Sequence, residues 1–136
     1  MSNILAGIGR GQMEVLDDRV EARRANYKLY FDNLQDVEGI TFLGEPKGCF
    51  SNRWLSCILT PSYEIREKIR TLLLTNNIES RPLWKPMHLQ PVFSEYPFFS
   101  DGTSEDLFER GLCLPSGSNL EAKEILRIIT LIKTVL

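Results

Sequence analysis

Residues 79–93 read "ESRPLWKPMHLQPVF". They hold three prolines, one of the chain's two tryptophans and its only histidine. Proline removes a backbone donor and biases the residue before it away from helix. The segment is therefore neither a helix nor a central strand. It reads as a stiff, irregular loop, and regular elements must flank it on both sides.

Upstream, "IESRP" reads as a strand running into Pro82. Before it, Ile65, Ile69, Leu72 and Leu73 mark the buried stripe of a helix that Ser62 caps and Asn76 and Asn77 end. "RWLSCILT" (53–60) reads as a central strand and "ITFL" (40–43) as a short one, with the "EPKG" turn between them. The chain opens with Ile4, Ile8, Leu16, Val20, Tyr27, Phe31 and Leu34 on one helical face. This predicts one helix to about Gln35, roughly 50 Å long. Such a helix would reach past the core. Downstream of the loop, "DGTSEDLFERG" reads as a turn and a short helix, with Thr103 and Asp106 placed as a capping box. "LCLPSGS" reads as a strand ending in a turn. A last helix starts near Leu120 and buries Ile125, Ile128, Ile129, Ile132 and Leu136. Few strands among large helices make an α+β fold, a small sheet covered by helices, in a single domain over residues 1–136.

Composition excludes some classes. The chain is 43% hydrophobic and 25% charged, with a net charge of −2 and both signs mixed along it. No basic run tracks phosphates, so nucleic acid is not a partner. No apolar stretch reaches membrane-spanning length, and no signal peptide is visible. Cys49, Cys57 and Cys113 lack metal-type spacing and are odd in number, which reads as a reduced, cytoplasmic protein with core or half-buried thiols and no metal site.

The candidate chemistry lies in the opening loop. Arg81, Trp84, Lys85 and His88 offer a planar cation, a flat ring, a second cation and a titratable donor. That set suits an anionic, ring-bearing ligand, and the prolines lower the entropy cost of holding the loop ready. A rigid surface loop whose Trp84 and Met87 fill core fits the composition equally, and His88 taken by itself reads as a structural, hydrogen-bonded histidine. "GIGRG" (7–11) lacks the G-x-G-x-x-G spacing and the preceding strand of a dinucleotide loop, and its small residues instead permit close packing by another segment. No nucleophile motif accompanies His88, so no catalytic residue is assigned.

Three ordered motifs resemble one family. "SRPLWKPMHLQPVF" is similar to a segment of the DegT/StrS sugar-nucleotide aminotransferases. "MSNILAGIGRGQMEVLDDRVEARRANYKLY" is similar to the long helix that follows their large domain, and "LFERGLCLPSGSNL" to their C-terminal turn and last helix. The resemblance implies the small C-terminal domain of a fold-type I, pyridoxal-phosphate-dependent enzyme, with a mostly antiparallel sheet and a long N-terminal helix. Such enzymes are homodimers that move an amino group, usually from glutamate, to a keto sugar on a nucleoside diphosphate. Here it implies a 4-keto-6-deoxy sugar, UDP-linked first and GDP-linked second.

It further implies that Arg81, Trp84, Lys85 and His88 line the substrate side, and that Ser2 and Asn3 lie near the cofactor phosphate of the partner subunit. The family's Schiff-base lysine region, with its "GEGG", has no counterpart in these residues. The expectation is therefore a domain without its large cofactor-binding partner, inactive alone and not binding pyridoxal phosphate alone, with Met1 at a cut or an internal start. The other reading is a stand-alone interaction or dimerisation domain derived from the same fold.

Overall fold

The computed structural model describes residues 2–136. Helices α1 (Asn3–Glu14) and α2 (Leu16–Leu34) precede strand β1 (Thr41–Phe42) and strand β2 (Ser56–Leu59). Helix α3 (Tyr63–Thr75) and strand β3 (Arg81–Pro82) follow, then two short 3-10 turns at Met87–Leu89 and Pro91–Phe93. Helix α4 (Thr103–Arg110), strand β4 (Gly111–Leu114) and helix α5 (Ala122–Lys133) complete the order. The sheet runs β1-β2-β4-β3, with every pair antiparallel. This is the expected α+β fold.

The core follows from residue spacing. Ile58, Leu112 and Leu114 point from the two central strands to one face of the sheet. There they meet Tyr30 and Leu34 of α2, Ile69 and Leu73 of α3, and Ile125, Ile128, Ile129 and Ile132 of α5. A strand presents alternate residues to opposite faces. Cys57 and Cys113, which pair in register, therefore stand on the other face. Ser62 caps α3, its hydroxyl accepting from the Ile65 N–H at 3.4 Å.

Several expectations need correction. The opening helix is two helices, because the β-branched Val15 leaves helical geometry at φ −117° and ψ 10°. Its buried face is also different. Ile4, Ile8 and Leu16 are 76%, 58% and 45% exposed, whereas Asn26, Tyr30 and Leu34 form the buried stripe of α2. No residue of α1 is buried. Leu136 is exposed because α5 ends three residues before it.

Thr103 is not the cap of α4. Gly102 takes that position at φ +86°, and Asp106 is held by Arg110 instead. The reciprocal capping box sits on α5, between Glu121 and Glu124. Strand β2 starts later than expected because Arg53 adopts φ +49°, a left-handed conformation incompatible with the ladder. Cys49 is exposed rather than core or half-buried.

Tyr30 ties α2 to the turn after β4. Its ring is fully buried and its hydroxyl donates to the Pro115 carbonyl at 3.0 Å. Burial pushes its phenol well above the ordinary value. Tyr30→Phe removes the only donor at that carbonyl among the described residues. The expected loss is about 1–2 kcal/mol, read as a lower urea midpoint with an unchanged slope.

Candidate functional site

The proline-rich loop leaves the sheet at its β3 edge, where Pro82 costs no ladder donor. Leu83 anchors it by donating to the Gly111 carbonyl at 3.2 Å. The next two side chains turn outward. Trp84 is 66% exposed, so neither it nor the exposed Met87 fills core. The Trp84 ring lies 6.2 Å from Trp54, tilted by 35°. Beside the two indoles is an open cleft of about 410 Å³, lined also by Leu55, Arg81, Cys113 and Ser116.

Trp54 escaped the sequence reading because it sits in a run that looks like plain strand. The loop before β2 fixes it. The Arg24 guanidinium reaches both Glu45 carboxylate oxygens, at 3.0 and 3.2 Å, and the Ser51 N–H donates to the same carboxylate. Those bonds pull the Glu45 carboxyl down to about 2. Arg53 lies over the Tyr27 ring at 3.8 Å, and the Trp54 N–H donates to Asn52 Oδ1 at 3.0 Å. With the backbone pinned on both sides, Trp54 is held facing the cleft from a long turn.

The four loop candidates separate into distinct environments. Arg81 lines the cleft and pairs with Glu79, but both side chains are mostly exposed, so the pair stabilises little and leaves the cation available. Lys85 is exposed next to the cleft without lining it, and no carboxylate among the described residues lies within 4.0 Å of its ammonium. His88 is not part of the cleft lining. Its Nε2 is 2.7 Å from Glu105 Oε1, and its ring stacks on Phe98 with centroids 4.3 Å apart. Glu105 also accepts from Ser100 and Ser104, which hold its carboxyl down at about 2. Sequence reasoning missed Glu105 because the contact arises only when α4 packs beside the loop.

Ser2 caps α1 by accepting from the Leu5 N–H at 3.3 Å, and Asn3 begins that helix. No hydrogen bond among the described residues links either to the loop. The glycines at 7, 9 and 11 lie inside α1, and among the described residues nothing packs against them.

The Glu105 anchor has a pH signature. A carboxyl held below its ordinary value of 4.5 contributes stability above that value and loses it as pH falls toward about 2. The 98–105 segment should therefore release from His88 across that window. The aromatic NMR signals of Phe98 and His88 would shift together, ahead of the core methyl signals.

The comparisons with known proteins are consistent with this geometry. The profile of the DegT/DnrJ/EryC1/StrS aminotransferase family matches residues 1–133. The chain belongs to that family. EpsN of Bacillus subtilis (strain 168), which carries the name of a pyridoxal phosphate-dependent aminotransferase, is 46% identical over 95% of this chain and 34% of its own length. GDP-perosamine synthase of Escherichia coli O157:H7 is 34% identical over 94% of this chain and 34% of its own. The aminotransferase TlmJ of Streptoalloteichus hindustanus superposes with a TM-score of 0.87 at 22% identity, over 96% of this chain and 35% of its own. This DegT/DnrJ/EryC1/StrS chain thus spans about a third of the length of these relatives.

The only lysine of the proline-rich loop, Lys85, stands outside the cleft lining. Among the described residues no helix is long and apolar enough to cross a membrane, and no cluster of His, Cys, Asp and Glu could hold a metal.

Proposed function

We propose that this chain is the substrate-side third of a pyridoxal-phosphate-dependent aminotransferase acting on a nucleotide-linked 4-keto-6-deoxy sugar, with glutamate as amino donor. The observation that carries the reading is the Trp54–Trp84 cleft with Arg81 on its wall, in a chain that matches the family along almost its whole length. Stacking surfaces suit a base or a sugar face, and a guanidinium suits the diphosphate. Lys85 adds charge at the rim. His88, oriented by Glu105, serves as a polar contact to the sugar from the loop's far end.

Ser2 and Asn3, at the N-terminal end of α1, would face the cofactor phosphate across a homodimer interface, since such helix ends favour anions. The Schiff-base lysine belongs to residues outside this chain, which alone is inactive. The working unit is a cytoplasmic homodimer that makes precursors of surface polysaccharides. The name of the Escherichia coli relative, GDP-perosamine synthase, supports a GDP-linked substrate beside the UDP-linked one.

The test is a titration of the purified chain with UDP- and GDP-linked 4-keto-6-deoxy sugars. Tryptophan fluorescence should change saturably, and Trp84→Ala and Arg81→Ala should each weaken binding several-fold. An unchanged signal, or equal binding by both variants, would refute the reading. A stand-alone association module is the second reading, favoured by the exposed Ile4, Leu5, Ile8 and Met13 along α1. It expects a defined oligomer that dissociates when these residues become polar, and no response to nucleotide sugar.

A further inference from the structure

Cys57 of β2 and Cys113 of β4 sit directly opposite each other in the central strand pair. The Thr60 N–H donates to the Arg110 carbonyl at 3.0 Å, so residues 60 and 110 form a hydrogen-bonded pair. Pair types alternate along an antiparallel ladder. Counting back, Cys57 and Cys113 form a non-hydrogen-bonded pair, with Cα atoms about 4.5 Å apart. That spacing lies within the range a disulfide accepts. The two sulfurs are 3.6 Å apart with both thiols free. Closing to a bond of about 2.0 Å takes side-chain rotation and no strand movement.

We propose that Cys57 and Cys113 form a redox-active dithiol site that closes into a cross-strand disulfide under a peroxide oxidant. The site is reachable, because Cys113 lines the cleft between the tryptophans and Arg81. The two sulfurs share a hydrogen bond that either thiol can donate. This holds the Cys113 thiol below its ordinary value, while the same bond and burial push Cys57 up. Cys113 lines the cleft and Cys57 does not, so Cys113 is the sulfur that meets the oxidant.

Its thiolate attacks one peroxide oxygen. The O–O bond breaks, water leaves after taking the thiol's proton, and a sulfenic acid remains on Cys113. The Cys57 sulfur then attacks that sulfur. The S–S bond forms as the S–O bond breaks, and the departing hydroxide leaves as water with the Cys57 proton. One peroxide is reduced to two waters and two thiols are oxidised to one disulfide. Thiol reductants reverse the step.

The consequence is local to the cleft. Cys113 also pairs in register with Arg81, so the oxidised sulfur is drawn toward Cys57 and away from the wall that Arg81 and Trp84 share. This inference stands on the strand register and does not depend on the substrate reading.

The experiment treats the full chain with one equivalent of hydrogen peroxide and maps peptides without reduction. The expected result is a Cys57–Cys113 link at one per chain, loss of two hydrogens in intact mass, and Cys49 still open to alkylation. Dithiothreitol should restore both thiols, and the fluorescence of Trp54 and Trp84 should fall and recover in step. Cys49→Ser should retain the link, and Cys57→Ser should lose it and leave Cys113 to over-oxidise. Three results would each overturn the proposal: dimers joined only through Cys49, sulfinic acid at Cys113 in the unaltered chain with no link, or thiols still free after excess peroxide.

Discussion

Ile132→Ala should lower the unfolding free energy by about 2–5 kcal/mol. Ile132 is fully buried on α5, inside the cluster that joins α2, α3, α5 and the two central strands. Truncation there removes several methyl groups from contact and leaves a cavity that four packed elements cannot close. The same kind of change on α1 should do almost nothing. Ile8 is 58% exposed, so Ile8→Ala should move stability by no more than about 0.5 kcal/mol. Paired urea titrations of the two variants would place the hydrophobic boundary between α1 and the rest of the chain. Equal losses would mean that α1 packs on the core, contrary to its exposure.

Gly111→Ala should be nearly as damaging, for a different reason. Its φ is −85°, so backbone strain is not the issue. A Cβ at this position would come within 3.0 Å of the Leu83 side chain and of the Leu107 carbonyl. Leu83 can rotate, but the carbonyl belongs to α4 and cannot yield without unwinding that helix end. Overpacking of this kind costs about 1–3 kcal/mol and sometimes more. Gly111 also accepts the Leu83 N–H that anchors the proline-rich loop. The variant should therefore unfold at lower urea and show altered Trp84 fluorescence while still folded. A normal midpoint would mean that α4 and β4 are less tightly joined than the structure has them.

Parts of this fold were legible in the sequence for clear physical reasons. Ile65, Ile69 and Leu73 on α3, and the four isoleucines of α5, repeat at helical spacing because one face of each helix meets the sheet. The opening helix misled because its apolar residues belong to two different surfaces. Ile4 and Ile8 are solvent-facing, while the true core stripe of α2 includes a tyrosine and an asparagine, Tyr30 and Asn26. Polar atoms on buried residues break a hydrophobic pattern without breaking the packing, and here both make hydrogen bonds to the turn after β4.

The cleft was half legible. Arg81 and Trp84 stood out because prolines isolate them from regular structure. Trp54 did not, because its role depends on the Arg24–Glu45–Ser51 clamp, which only the folded chain assembles. His88 was found as a residue, but its stack on Phe98 and its bond to Glu105 come from tertiary contact.

On the proposed function, these residues supply the substrate side of an aminotransferase and not its cofactor bond. The most direct measurement incubates the purified chain with pyridoxal phosphate, reduces with borohydride, and maps modified lysines by mass spectrometry against a free-lysine competitor. The expected result is only weak, non-saturable labelling spread over exposed lysines. Stoichiometric, competitor-resistant labelling at Lys85 alone would contradict it and make this chain the holder of its own cofactor.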